Sequence, residues 1–205
     1  AVAWGAFTDV GPQVAAILNV TPNHLDRHPN MTAYALAKLN LLRFMPRGGT
    51  AILNADDAVT GSLLGSETDD ESAARLAAWK LGGITAEARR QLARDGVRTL
   101  PFSRERRLEE GAWLDGDTLR YQGQIICRRG ELQLRGDHNV GNVLAAATIS
   151  GAAGAHLAAM AATARTFAGV AHRLEVVGEA DGVTWINDSI ATSPERAIAG
   201  LRSFG

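Results

Sequence analysis

A strand–helix–strand pattern between residues 14 and 53 limits the fold of this chain more than any other feature. The apolar run from Val14 to Val20 ends at Thr21-Pro22, as a buried strand ends at a turn. The helix-forming stretch AYALAKLNLLRFM follows, and we expect Thr32 to cap it. A second apolar run, Thr50 to Leu53, ends at Asn54-Ala55-Asp56-Asp57. This order predicts a βαβ unit in a mostly parallel sheet flanked by helices, which is the α/β class.

Later segments predict further elements around this unit. The acidic stretch ETDDE, residues 67–71, predicts a solvated loop, residues 85–94 predict a helix, and residues 97–102 predict a strand. Between Gly111 and Leu134, short alternating runs broken by glycines predict an antiparallel meander. Asp137 opens an alanine-rich helix, and we expect a second helix from about His156 to Phe167.

A change of pattern past Gly169 predicts a domain boundary. Residues 174–177 and 183–186 flank a Glu-Ala-Asp-Gly turn and predict a hairpin, and Ser193-Pro194 is typical of the start of a helix. This second unit is too short to have a core of its own. We therefore expect a first domain over residues 1–168 and the start of a second, Rossmann-like domain over residues 169–205.

Composition argues against several classes of protein. The chain is 46% hydrophobic with a net charge of −1, so a core is expected and neither nucleic acid nor a charged membrane surface is an expected partner. Its single cysteine, Cys127, fits a reducing compartment. No apolar run approaches the roughly 18 residues of a membrane span, and the N-terminal residues lack the pattern of a signal peptide. We expect a soluble cytoplasmic protein.

Lys38 is an unusual residue here, because only two of the 21 basic residues, Lys38 and Lys80, are lysine. On the predicted helix it shares an apolar stripe with Tyr34, Leu41 and Leu42. Its stem could pack there while the ammonium group reaches solvent, but arginine would serve equally well. Alternatively, the site needs a primary amine that can lose its proton and react. The residues alone leave both interpretations open.

The stretch NVTPNHLDRH, residues 19–28, follows the first predicted strand, where open α/β sheets place ligand sites. His24 could bind a divalent cation, and Asp26 could orient its ring. Equally, His24 and His28 could form only the hydrogen bonds of a turn. A hard cation such as Mg²⁺ also needs oxygen ligands, which one imidazole does not supply.

Two later motifs carry polar side chains at predicted element ends. In GDHNVGNVLAA, Asn139 and Asn142 share a helix face and could read a purine edge, although helix-surface amides need no ligand. HRLE and WINDSIATSPE place polar groups beside strand ends, where arginine suits a phosphate and aspartate a ribose hydroxyl. A polar turn and a helix cap explain the second motif without function. The candidates are Arg173, Asp188, Ser189 and Thr192.

Together and in this order, NVTPNHLDRH, AYALAKLNLL, ILNADD, GDHNVGNVLAAA, HRLE and INDSIATSPE resemble the Mur ligases, most closely the glutamate-adding branch. The resemblance covers nearly the whole chain and is weak between Ser62 and Glu131. It implies an ATP-dependent amide ligase of peptidoglycan precursor synthesis that acts on UDP-N-acetylmuramoyl-L-alanine and glutamate, as a monomer. It also implies two Mg²⁺ ions, an acyl phosphate intermediate, and attack on that intermediate by the amino group of glutamate.

The same resemblance implies roles for individual residues. His24 would bind one Mg²⁺, and Lys38 would carry a CO₂-derived carbamate that acts as a carboxylate-like ligand in the metal site. Asn139, with Asn142, would contact adenine. Arg173 and Asp188 would reach the phosphate and ribose, and Ser189 and Thr192 would lie near the glutamate.

The chain departs from the family pattern in three respects. It has neither the GxxGK[ST] phosphate loop nor the glutamate that supplies another Mg²⁺ ligand, Asn23 stands where many members have an acid, and Ile190 stands where many have a lysine. We therefore expect a fragment that is inactive alone, comprising most of a central ATPase domain and the start of a glutamate-binding domain. The alternatives are another Mur ligase or a folylpolyglutamate synthase-like enzyme, a non-catalytic nucleotide-binding module, and a metal hydrolase built on His24, Asp26 and His28.

Overall fold

The computed structural model describes residues 11–22, 25, 27–65, 69–192 and 194–204. These residues form eight strands and seven α-helices. In chain order they are β1 (Val14–Ile17), α1 (Met31–Arg43), β2 (Thr50–Asn54), α2 (Ala58–Leu64), α3 (Asp70–Ala78), α4 (Gly82–Arg94), β3 (Arg98–Ser103), β4 (Ala112–Asp115), β5 (Thr118–Tyr121), β6 (Gln124–Arg128), α5 (Asp137–Ala152), α6 (Leu157–Thr166), β7 (Glu175–Ala180), β8 (Val183–Asn187) and α7 (Pro194–Leu201).

The first six strands form one sheet in sequence order. β1, β2, β3 and β4 pair in parallel, with Ala15 opposite Ala51 and Ile52 opposite Leu100. β4, β5 and β6 pair antiparallel, so the predicted meander extends the parallel sheet at one edge. The predicted βαβ unit and the α/β class are confirmed.

Each face of this sheet is covered by helices. Ala51 and Leu53 belong to a core formed with α1 to α4, whereas Ile52 belongs to a core formed with α5 and α6. All three side chains are fully buried. A strand covered on both faces is apolar at every position, which explains why Thr50 to Leu53 reads as a continuous apolar run.

The predicted cap of the first helix is wrong. Asn30, not Thr32, precedes α1 with an extended backbone, and its side chain accepts a hydrogen bond from the backbone N–H of Ala33 at 2.9 Å. Thr32 lies inside the first turn, and its hydroxyl instead donates to the carbonyl of Trp79 at 2.8 Å. Thr32 therefore joins α1 to the end of α3.

The predicted acidic loop is also wrong where the structure describes it. Asp69 caps α3 by accepting a hydrogen bond from the backbone N–H of Ser72 at 2.8 Å, and Asp70 and Glu71 form its first turn. Acidic side chains are favourable there because the first N–H groups of a helix have no partner in the helix. Glu67 and Thr68 lie outside the described residues.

The last two strands form a separate antiparallel hairpin, as predicted, with Glu175 opposite Asn187. α7 begins at Pro194, while its predicted cap, Ser193, lies outside the described residues. Among the helices described, none has both the length and the apolar character needed to cross a lipid bilayer.

Candidate functional site

A cavity of about 280 Å³ lies between the main sheet and the hairpin unit. Asn19 contributes to its wall from the segment that leaves β1, and Asn142 contributes from the first turns of α5. Arg173 and Asp188 line it from the segments before β7 and after β8. The structure thus brings together three of the predicted nucleotide-binding residues, Asn142, Arg173 and Asp188. The cavity lies beyond the carboxyl end of a parallel strand, the usual ligand position in open α/β sheets.

Lys38 contacts the wall of the cavity by a hydrogen bond to Asn19. Its Nζ donates a hydrogen bond to the Asn19 carbonyl at 2.6 Å and lies 4.9 Å from the centroid of the Tyr34 ring. Tyr34 is buried under the lysine, so the amine is held between a carbonyl oxygen and the aromatic face. The Lys38 amine is therefore directed to the exit of β1.

The predicted metal-binding histidine cannot be placed beside this amine, because Asn23, His24 and Asp26 lie outside the described residues. His28 is described, and its ring packs at a tilt against Tyr34, with the ring centroids 5.3 Å apart. Within the described ranges, no group of three or more histidine, cysteine, aspartate and glutamate side chains could hold a metal ion.

The two predicted asparagines of α5 occupy different positions. Asn142 lines the cavity, and its Nδ2 donates to Oδ1 of Asn139 at 3.2 Å. Asn139 is buried, and its own Nδ2 donates to the carbonyl of Arg135 at 2.7 Å. Asn139 therefore holds the amide of Asn142 by a hydrogen bond, and Asn142 itself lines the cavity. The adenine contact expected of Asn139 remains a prediction.

His138 also lines the cavity, although the sequence did not single it out. Burial lowers the pKa of its imidazole, and the positive charge of Arg173 lowers it further. His138 and Asn142 lie four residues apart on one face of α5, which is the signal that would have identified the histidine. The cavity therefore has an imidazole that favours its neutral form on the sheet side and a guanidinium on the hairpin side.

Asp188 is held by its neighbours in the hairpin unit. Its Oδ1 accepts a hydrogen bond from the backbone N–H of Leu174 at 3.2 Å. Gly200 of α7 lies so close that a Cβ added there would be 2.9 Å from Asp188 Oδ2 and 3.1 Å from Leu174 Cδ2. A side chain at position 200 would therefore press on this carboxylate and displace it, so glycine favours the close approach of α7. Nothing in the local sequence marks Gly200, because the contact arises only on packing.

The residues predicted to lie near glutamate are less enclosed. The backbone N–H of Ser189 donates to Oδ1 of Asn187 at 3.2 Å, and Thr192 is exposed. Ile190, which departs from the family pattern, lines the cavity and is 41% exposed. The expected contacts of Ser189 and Thr192 with glutamate remain predictions.

Comparison with known proteins gives matches along the chain. Residues 3–150 match the Mur ligase middle domain. A UDP-N-acetylmuramoylalanine--D-glutamate ligase of Pelotomaculum thermopropionicum is 38% identical over 198 residues, which are 95% of this chain and 37% of that protein. A protein of the same name from Clostridium novyi is 38% identical over 190 residues, 93% of this chain and 35% of that protein. The chain thus spans little more than a third of the length of these relatives.

Solved structures show the same fold at lower identity. MurF from Acinetobacter baumannii superimposes with a TM-score of 0.68 at 20% identity, covering 94% of this chain and 37% of that one. The apo form of L. casei FPGS superimposes with a TM-score of 0.61 at 18% identity, covering 95% of this chain and 42% of that one. At such identities the likeness concerns the fold alone.

Proposed function

The chain belongs to the Mur ligase family, and on this premise we propose that the protein is an ATP-dependent ligase that joins D-glutamate to UDP-N-acetylmuramoyl-L-alanine. The names of relatives at 38% identity support this choice of substrates. The sequence alone left the configuration of glutamate open, and these names favour the D form. Such a ligase would work in the cytoplasm, where peptidoglycan precursors are made.

The proposed reaction has two steps. The muramoyl-alanine carboxylate attacks the γ-phosphorus of ATP, forming an acyl phosphate and releasing ADP. The amino group of glutamate then attacks the acyl carbon, loses a proton, and expels inorganic phosphate as the amide bond forms. Both steps require several negatively charged groups to approach one another, so positive charge and precise placement are the main contributions of the protein.

The cavity carries this proposal, because Asn142, Arg173 and Asp188 converge on it from three separate segments. The Asn142 amide suits a purine edge, the Arg173 guanidinium a phosphate, and the Asp188 carboxylate a ribose hydroxyl. At about 280 Å³ the cavity is at the lower end of ligand-binding sites. We therefore assign to it the base, the ribose and the nearest phosphate of ATP, and not the whole molecule.

We assign the magnesium site to the exit of β1, beside Lys38. Mg²⁺ prefers oxygen ligands, and the Asn19 carbonyl already lies at the Lys38 amine. A carbamate on Lys38 would add carboxylate-like oxygens there, so the donor chemistry fits a hard cation. His24 would complete the set. When bound, the two Mg²⁺ ions expected for the family would neutralise the phosphate charges.

In this assignment the two units bind different substrates. Residues 1–168 form the ATP-binding domain, and residues 169–205 begin the domain that contacts glutamate through Ser189 and Thr192. Arg173 and Asp188 belong to the second unit yet line the nucleotide cavity. Binding of ATP would therefore bring the two units together around the reacting groups.

The substrate assignment is tested with the full-length protein. Phosphate release is measured with ATP, Mg²⁺ and UDP-N-acetylmuramoyl-L-alanine, adding D-glutamate, L-glutamate or a diamino acid in separate reactions. We expect release that depends on D-glutamate. Release only with a diamino acid would indicate another Mur ligase. Nucleotide binding without any release would indicate a non-catalytic module, and either result would contradict the proposal.

The role of Lys38 is tested by Lys38→Arg in the same assay. Arginine keeps the positive charge but cannot form a carbamate, so we expect activity to fall by about a hundredfold or more. Lys38→Ala should recover part of its activity when short carboxylates are added. The matched control is Lys80→Arg, since Lys80 is exposed in the turn after α3. Full activity of Lys38→Arg would show that no carbamate is needed.

A further inference from the structure

The side chain of Asn187, the last residue of β8, joins three pieces of the hairpin unit. Its Nδ2 lies 2.9 Å from Nδ1 of His172 and donates to Oε2 of Glu175 at 3.3 Å. Its Oδ1 accepts a hydrogen bond from the backbone N–H of Ser189 at 3.2 Å. One amide thus connects the segment before β7, the first residue of β7, and the loop after β8.

The partners of Asn187 leave only one orientation for its amide. The Ser189 N–H can only donate, so the amide oxygen must face it. The ionised Glu175 carboxylate can only accept, so the amide nitrogen faces that side. His172 Nδ1 must then accept a hydrogen bond, and a neutral His172 carries its proton on Nε2. An aspartate at position 187 could not make the same set of bonds.

These contacts surround the backbone at Arg173, whose side chain lines the cavity. His172 and Leu174, on either side of it, have φ angles of 67° and 46°, in the left-handed region that residues other than glycine rarely adopt. Such a conformation persists only where neighbouring contacts hold it.

Three further hydrogen bonds supply part of that hold. The backbone N–H of Ile190 donates to the His172 carbonyl at 3.2 Å, and the backbone N–H of His172 donates to Glu175 Oε2 at 2.8 Å. The Leu174 N–H donates to Asp188 at 3.2 Å. The segment before β7 and the segment after β8 thus hold each other in place.

We propose that Asn187 is a positioning residue that aligns Arg173 and Asp188 for nucleotide binding. The inference rests on the proposed function of the cavity. Within the described residues Asn187 does not line the cavity, so it acts through its neighbours. Its amide closes the contact between the segment that carries Arg173 and the one that carries Asp188, and it supports the left-handed backbone at His172.

The first test measures the affinity of the full-length protein for ADP by calorimetry. Asn187→Ala removes all three contacts, and we expect ADP to bind roughly tenfold more weakly. The matched control is Thr184→Ala on the same hairpin, where the lost hydrogen bond runs from the Thr184 hydroxyl to Glu179, away from the cavity. We expect Thr184→Ala to bind ADP as the unchanged protein does. Equal affinities for Asn187→Ala and the unchanged protein would overturn the proposal.

A double-mutant cycle shows whether Asn187 acts through Arg173. If it does, Asn187→Ala should cost less affinity in a protein that already carries Arg173→Ala than in the unchanged protein, and the loss that remains should arise from Asp188. Losses that simply multiply would mean that the two residues act independently, which would overturn the proposal. A general weakening of the hairpin would also give multiplying losses, so the cycle separates positioning from stability.

A rescue experiment covers the case in which Asn187→Ala fails to fold. Asn187→Asp keeps the acceptor for Ser189 but sets a second carboxylate against Glu175, so affinity should fall. Adding Glu175→Gln removes this repulsion but weakens the contact to the backbone N–H of His172, which donates to the same oxygen of Glu175, so we expect affinity to recover in part, by about threefold over Asn187→Asp. No recovery would overturn the proposal. If the unchanged protein binds ADP and the variants bind it equally well, only the role of Asn187 fails. If the unchanged protein does not bind ADP, the proposed function fails, and the role of Asn187 fails with it.

Discussion

His138 and Arg173 approach the cavity from opposite units, and the charge of one acts on the other. Burial lowers the pKa of His138, Arg173 lowers it further, and the carboxylate of Asp188 partly opposes both effects. The first two effects favour the uncharged form of the ring. Among the lining residues that the structure describes, Arg173 then supplies the positive charge that an anionic ligand would meet.

This coupling predicts the effect of Arg173→Ala on His138. Removal of a positive charge makes the imidazolium form less unfavourable, so the pKa of His138 should rise. The measurement is an NMR titration of the His138 ring signals in both proteins. Arg98→Ala is the control, because Arg98 pairs with Glu110 and is not among the groups that shift this pKa. An unchanged or lower pKa in Arg173→Ala would show that the guanidinium does not act on the ring.

At the level of residues, the sequence predicted side chains whose chemistry is recognisable in a motif. Asn142, Arg173 and Asp188 were predicted as ligand-binding residues, and they do line one cavity. His138 and Gly200 were missed for a physical reason. His138 lines the cavity because it lies on the same face of α5 as Asn142. Gly200 lines it because α7 packs against Asp188, a contact between distant segments that no local sequence pattern predicts.

Among the elements, the loop from Asn54 to Asp57 ties together the ends of three parallel strands. Asn54 donates to the Leu18 carbonyl at 3.0 Å, and Asp57 accepts from the Val20 N–H at 2.9 Å, both just after β1. Asp56 accepts from the Arg104 N–H at 2.7 Å, and from the Ser103 hydroxyl, at the end of β3. The two bonds to β1 flank Asn19, so this loop determines where the carbonyl that binds Lys38 lies.

This role predicts a marked loss of stability for Asp57→Ala. Asp57 is buried and also caps α2 by accepting from the N–H groups of Val59 and Thr60. Loss of the cap and of the bond to Val20 should lower the free energy of unfolding by about 2–4 kcal/mol, measured by denaturant titration. Asp69→Ala removes the exposed cap of α3 and should cost clearly less. Equal losses of stability for Asp57→Ala and Asp69→Ala would contradict the role of Asp57 in joining the strand ends.

Two elements were missed because caps and packing decided them. α2 contains Thr60 and Gly61, which are weak helix formers, yet Asp57 caps it and Leu63 is buried in the core. The start of α3 was interpreted as a loop because its acidic residues suggested solvation. Charge alone cannot distinguish a loop from a capped helix start, whereas the longer apolar patterns of β1, α1 and β2 were sufficient.

At the scale of the whole molecule, the described chain consists of a six-stranded sheet covered by helices and a separate two-stranded hairpin. The connection after α6 contains the exposed residues Phe167 and Val170 and lies outside helices and strands. The domain boundary that we place near Gly169 remains a prediction. So does the role of His24, which falls in a segment that the structure does not describe.

The boundary predicts the order of cleavage by chymotrypsin in the full-length protein. Phe167 is 45% exposed and should be cut early, whereas Phe102 is 3% exposed in β3 and should be cut late. Trp185 is also exposed but is held in β8. ADP should slow cleavage at Phe167, because residues from both sides of it line the cavity. Mass spectrometry of timed samples gives the order, and an ADP-independent rate would contradict a shared nucleotide site.

A cavity with walls from two units has a consequence for inhibitors. A compound that contacts both Asn142 and Asp188 would fix the orientation of the hairpin unit relative to the sheet. A smaller compound that contacts only the α5 wall would leave that angle free and would compete with the nucleotide base alone. A crosslink engineered between α5 and the hairpin unit would have the same effect as the first kind of compound and would leave the cavity itself empty.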